Sequence, residues 1–91
     1  MSKIHVFDTY ATRKNGRIMH FDVVLAERDD AKALASARQW LASLGETDAE
    51  VSQERCCYCH SEEQAPPQIE QEISDRGYAI YRLEGCPSAA V

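Results

Sequence analysis

"KIHVFDTYATRKNGRIMHFDVVLAE", residues 3–27, is two alternating apolar and polar runs around one turn. Residues 3–12 and 17–26 are rich in Ile, Val, Phe and Tyr, the side chains that suit a pleated, half-buried surface. Between them stands Asn15-Gly16, a dipeptide that accepts the positive φ angles of a two-residue hairpin turn. Such a turn sets Lys14 opposite Arg17 and Tyr10 opposite Phe21. One face of the hairpin then carries Ile4, Val6, Asp8, Tyr10, Met19, Phe21, Val23 and Leu25, and is expected to meet the core. The other carries His5, Phe7, Thr9, Ala11, Ile18, His20, Asp22 and Val24, and is expected to be partly solvated. Asp8 is the misfit of the apolar face. A buried carboxylate needs a partner, and Lys3, Arg38 or a backbone N–H is expected to supply it.

The rest of the chain follows from the hairpin. "RDDAKALASARQWLASLG", residues 28–45, repeats apolar residues at helical spacing through Leu34, Ala37, Leu41 and Leu44. Asp29 or Asp30 can cap its start and Gly45 can end it. Residues 49–54 alternate weakly and predict a third strand, and residues 55–66 read as a loop. Pro66-Pro67 can open a second, short helix with Ile69 and Ile73 four apart, ended by Gly77. Residues 78–83, "YAIYRL", predict the last strand. The order is ββαβαβ. An opening antiparallel hairpin with amphipathic helices packed on the sheet makes an α+β two-layer sandwich. At 91 residues the chain is one domain, expected over residues 1–87 with a flexible tail at 88–91.

Composition removes several functions. The net charge is −5, and the basic residues Arg13, Lys14 and Arg17 cluster at one turn only, so nucleic acid is not an expected partner. No apolar run reaches the length that spans a bilayer, so no membrane role is expected. The N-terminal residues lack a leader's apolar region, which predicts a cytoplasmic protein with reduced cysteines.

The chemistry-bearing stretch is "ERCCYCHSEE", residues 54–63. Cys56-Cys57-Tyr58-Cys59-His60 fits the C-x-x-C-H spacing of c-type haem attachment. Haem is not expected, because attachment follows export and because Glu54, Glu62 and Glu63 flank a site that needs an apolar pocket. A thiol redox centre draws on a helix N-terminus to stabilise its thiolate, and here acidic residues intervene before the helix. Metal binding is the sharper reading, since Cys56 and Cys59 are spaced to reach one zinc ion. Cys86, set between Gly85 and Pro87, and His60 are the candidate remaining ligands. His20 or His5 could also reach in from the sheet. The bland alternative is that the cysteines are small buried hydrophobes. His20, Asp22 and Thr9 on one strand face could serve as an acid–base set, but a plain cross-strand polar patch is the expected reading.

"KIHVFDTY", "MHFDV", "CCYCHSE" and "GYAIYRLEGCP" together resemble a family of small, mostly bacterial proteins known as domain of unknown function 2024. The resemblance runs from about residue 3 to residue 87. It implies a compact α+β fold with no assigned activity. It also implies Cys56, Cys59, His60 and Cys86 as the set to test, with Cys57 an extra. The expectation is thus an uncharacterised cytosolic domain, more accessory or interaction module than enzyme, with a structural zinc site. A thiol-dependent enzyme or sensor using Cys56 and Cys59 is the alternative, and metal-free packing cysteines a third.

Overall fold

The computed structural model describes residues 3–46 and 48–84. It contains strands β1 (Ile4–Thr12) and β2 (Ile18–Leu25), helix α1 (Asp30–Ser43), strand β3 (Cys56–Glu62), helix α2 (Pro67–Arg76) and strand β4 (Ala79–Glu84). The sheet is antiparallel in the order β3-β1-β2-β4, so the opening hairpin forms its centre. The expected α+β class and the order ββαβαβ hold. Cys86 and the tail at 88–91 lie outside the described residues.

The hairpin turn differs from expectation by one residue. Arg13 N–H donates to Arg17 O at 2.7 Å, and Gly16 N–H donates to Arg13 O at 2.8 Å. The loop is therefore three residues long, Lys14 to Gly16. Gly16 takes the left-handed conformation at φ 88°, and Asn15 does not. The Asn15 side chain instead accepts the Arg17 N–H at 2.9 Å. That bond fastens the three-residue loop, a type I turn closed by a left-handed residue.

The slip reassigns every side chain of β1, because side chains alternate with a period of two. Tyr10 lies opposite His20, not beside Phe21, and Asp8 lies opposite Asp22. Thr9 faces Phe21 and Ala11 faces Met19, correcting the expected pairing of Thr9 with Asp22 and Ala11 with His20. Phe7 and Ala11 thus join Met19, Phe21, Val23 and Leu25 in the main core. Ile4, Val6 and Val24 belong to a second, smaller core on the opposite face.

Each core has its own helix. On α1, Ala33, Ala37, Trp40 and Leu41 form one buried stripe, with Leu34 and Leu44 at its margin. Asp29 caps this helix by accepting the Lys32 N–H at 3.0 Å. On α2, Ile69 and Ile73 pack on Ile4, Val6, Val24 and Ala79. The two helices therefore divide between the faces of the sheet, and α2 adds a partial third layer to the expected two. No residue of α2 is fully buried, so it lies lightly over its face. Its Gly77 cap, at φ 91°, ends it as predicted.

The third strand is also displaced. Residues 49–54 make only a bridge between Glu50 and Thr12 and a short 3₁₀ turn at Gln53–Arg55. The expected loop at 55–66 is largely strand β3, which pairs with the outer edge of β1. An unpaired strand edge offers a row of backbone donors and acceptors, and the cysteine-rich segment satisfies them.

Candidate functional site

The faces of the hairpin place three polar residues on the α2 side of the sheet. Asp8 on β1 and His20 and Asp22 on β2 share this face. His20 Nε2 lies 2.5 Å from Asp8 Oδ1, and the His20 ring stacks on Tyr10 with centroids 4.2 Å apart. Stacking fixes the imidazole plane while Asp8 fixes its edge. The expected partners of Asp8, Lys3, Arg38 or a backbone N–H, are thus replaced by His20 and Asp22.

Asp22 holds a carboxyl raised from 3.8 to about 6. Burial is the chief cause, followed by a hydrogen bond to Asp8 and the charge of Asp8. His20 and His60 pull in the other direction. Two carboxyls facing each other across a strand pair cannot both ionise cheaply, so either a proton or a cation must sit between them. One ligand atom each from Asp8, His20 and Asp22 lies within 4.8 Å of the others, and this is the group of three such donors among the described residues.

Beside this cluster a groove of about 500 Å³ runs between α2 and the sheet. Its apolar walls are Ile4, Val6, Val24, Ile69 and Ile80, and Asp22, His60 and Glu62 contribute polar groups. A second concavity of about 540 Å³ lies between α1 and residues 46–52, lined by Arg38, Glu46 and Glu50 among others. It holds none of the three clustered donors, so the groove under α2 is the better candidate.

The sequence-predicted ligands are distributed differently. Cys56 is buried in the α1 core, where Thr9 Oγ1 donates to its sulfur at 3.4 Å. Burial raises its thiol pKa, against the smaller opposing effect of the Thr9 hydrogen bond. Cys57 is exposed opposite Asp8, and its thiol donates to Glu54 O at 3.2 Å. The register shift between Val6 and Phe7 leaves Cys59 as the extra residue of β3, exposed, with its sulfur 3.3 Å from His60 Nδ1. His60 Nε2 lies 3.0 Å from Glu62. Cys86 lies outside the described residues. Of the three expected ligands among the described residues, His60 is the one that lines the groove with Asp22.

The Asp8–His20–Asp22 group was hidden by the register. His20 and Asp22, two apart on one strand, were visible as neighbours, but the two-residue turn placed Asp8 on the other face. Asn15-Gly16 reads locally as a two-residue turn, so the turn dipeptide carries no signal for the group.

The cysteine placement makes a direct prediction. In native protein, Cys57 and Cys59 should be alkylated by iodoacetamide well before Cys56, because reaction needs an accessible thiolate. Peptide mapping by mass spectrometry reads the order. Cys56 modified as fast as Cys59 would remove it from the core.

The fold and this donor group define a small α+β domain with a carboxylate–imidazole cluster on the sheet face that carries its second helix. The chain belongs to the family described as domain of unknown function (DUF2024), whose model matches residues 2–83. It is similar to protein NE1680 from Nitrosomonas europaea, whose NMR structure is 50% identical, covers 93% of this chain and 99% of that one, and superposes with a TM-score of 0.82. No curated protein matches the chain. Among the described residues no helix is long and apolar enough to cross a membrane.

Proposed function

We propose that this chain is a small non-enzymatic cytosolic domain that binds one zinc ion through Asp8, His20 and Asp22 and serves as an accessory or interaction module. The observation that carries the reading is the convergence of two carboxylates and an imidazole within 4.8 Å. Carboxylate oxygen and imidazole nitrogen are ordinary zinc donors, and three of them leave a fourth position for water or a partner's group. A divalent ion also relieves the opposition of Asp8 and Asp22 without a proton.

The ion sits on a different set of residues from Cys56, Cys59, His60 and Cys86. Cys56 is buried on the α1 face, and Asp8 and Asp22 face α2. The redox alternative draws less support, because a buried thiol with a raised pKa is a poor nucleophile. Exposed Cys57 and Cys59 fit a reducing cytosol. The net charge of −5 argues against a nucleic-acid partner.

Zinc titration of chelator-treated protein tests the proposal. One equivalent should bind, and zinc at about 100 times its Kd should raise Tm by roughly 10 °C or more. His20→Ala should abolish both. Absence of stoichiometric zinc overturns the reading. So does binding that survives His20→Ala but is lost in Cys59→Ser and Cys86→Ser, which would move the ion to the thiolate set.

A further inference from the structure

The two exposed thiols of β3 differ in what holds their proton. We propose that Cys59 is a reversible modification site, a thiol that forms a mixed disulfide with a low-molecular-weight disulfide carrying cationic arms, with His60 as the base that takes its proton. This goes beyond the zinc reading, does not require the metal and leaves Cys56 out.

Cys59 is the extra residue where the pairing of β3 with β1 shifts, between the Tyr58–Phe7 and His60–Val6 pairs. A bulge re-aims a side chain out of the regular alternation, and the Cys59 thiol is exposed. Its sulfur lies 3.3 Å from His60 Nδ1. The other ring nitrogen, Nε2, lies 3.0 Å from Glu62 Oε2. One tautomer serves both contacts. With the proton on Nε2, the ring donates to Glu62 and turns the Nδ1 lone pair toward the thiol. Nucleophile, base and orienting carboxylate thus stand in line, the arrangement that activates a thiol. Cys57 is the contrast within the same strand. It is also exposed, but its thiol donates to Glu54 O at 3.2 Å. A carbonyl oxygen accepts that hydrogen bond and cannot take the proton away.

The step balances without a further reactant. The Cys59 thiol passes its proton to His60 Nδ1, and the Glu62 carboxylate stabilises the imidazolium. The sulfur attacks one sulfur of the small disulfide, a new S–S bond forms and the old one breaks. The departing thiolate takes the proton from His60. Cys59 is oxidised to the mixed disulfide, the departing half is reduced to a thiol, and a second thiol reverses the exchange. Charge selects among disulfides. Glu62 and Glu63 are exposed beside the site and the net charge is −5, so cationic arms are attracted and carboxylate arms repelled.

The test uses three disulfides of similar length: cystamine, hydroxyethyl disulfide and dithiodipropionate. Each reacts with the full chain in EDTA at neutral pH, and peptide mass spectrometry follows Cys57 and Cys59 separately. Each rate is divided by the same reagent's rate with mercaptoethanol, which cancels intrinsic reactivity. Cys59 should lead Cys57 by about tenfold or more. The order at Cys59 should be cystamine, then hydroxyethyl disulfide, then dithiodipropionate, with the spread narrowing in salt. His60→Gln should bring Cys59 down to the rate of Cys57 and leave Cys57 unchanged. Glu62→Gln should slow Cys59 by a smaller factor. A disrupted strand would speed both thiols and expose Cys56, so a fall at Cys59 alone reports the lost base. In urea, where no imidazole is held beside either sulfur, the lead of Cys59 should vanish. Equal rates at the two thiols in the native chain overturn the proposal. So do a Cys59 rate unmoved by His60→Gln, fastest reaction with dithiodipropionate, or a lead that persists in urea.

Discussion

Asp22→Asn is expected to stabilise the metal-free protein above neutral pH and to abolish its stabilisation by zinc. The two effects have opposite signs and one cause. In the folded chain the Asp22 carboxyl stands at about 6, against 3.8 for an unperturbed aspartate. A group raised in this way binds its proton more tightly in the native state than in the unfolded state. Its contribution is fully present below about pH 3.8 and is lost as pH rises through about 6. A rise of that size would be worth roughly 3 kcal/mol in a fully desolvated group, and partial exposure reduces this to roughly 1 to 2 kcal/mol. Asparagine keeps the shape of the protonated acid and can still donate to Asp8, but never ionises. Urea unfolding in EDTA should therefore show wild type and variant nearly equal at pH 4 and the variant ahead by roughly 1 to 2 kcal/mol at pH 8. The amide cannot supply a carboxylate to the ion, so added zinc should reverse the ranking at pH 8. Equal pH profiles for the two proteins would show that Asp22 titrates as an ordinary surface acid.

Trp40→Ala should cost roughly 3 to 5 kcal/mol. Trp40 is 2% exposed and its ring lies 4.7 Å from that of Phe21 at the centre of the α1 core. Truncation leaves a cavity between helix and sheet that neighbours on two rigid elements cannot fill. A domain of this size holds only about 5 to 15 kcal/mol in all, so the variant should retain a small part of its stability. The urea midpoint followed by circular dichroism at 222 nm measures this without relying on the lost fluorophore. A decrease below about 1 kcal/mol would place Trp40 in a yielding surface setting and not in the core. The proposed zinc ligands Asp8, His20 and Asp22 are on the other face of the sheet, so zinc should still raise the Tm of whatever folded protein remains.

Helix α1 was legible residue by residue. Its Asp29 cap, its stripe through Ala37 and Leu41 and its end near Gly45 are local properties, set by spacing within one turn of helix. The same holds for α2 between Pro67 and Gly77. The existence of β1, β2 and β4 was equally local, because alternation is read from neighbours. The apolar set Met19, Phe21, Val23 and Leu25 was found together for that reason. What the sequence could not settle was how these pieces meet. The loop has three residues and not two, with Asn15 accepting the Arg17 N–H, and this register places Phe7 and Ala11 in the core and Asp8 opposite Asp22. Strand β3 carries no strong alternating pattern, since it is an edge strand and mostly exposed. It is a strand because the outer edge of β1 needs a partner. The cysteines looked like one cluster because they are close in sequence. In the sheet, pairing turns Cys56 into the α1 core, and a bulge leaves Cys59 exposed. Local propensity sets which residues form an element. Register and pairing, which join residues far apart in the chain, decide which face each side chain occupies and so which donors can reach a common ion.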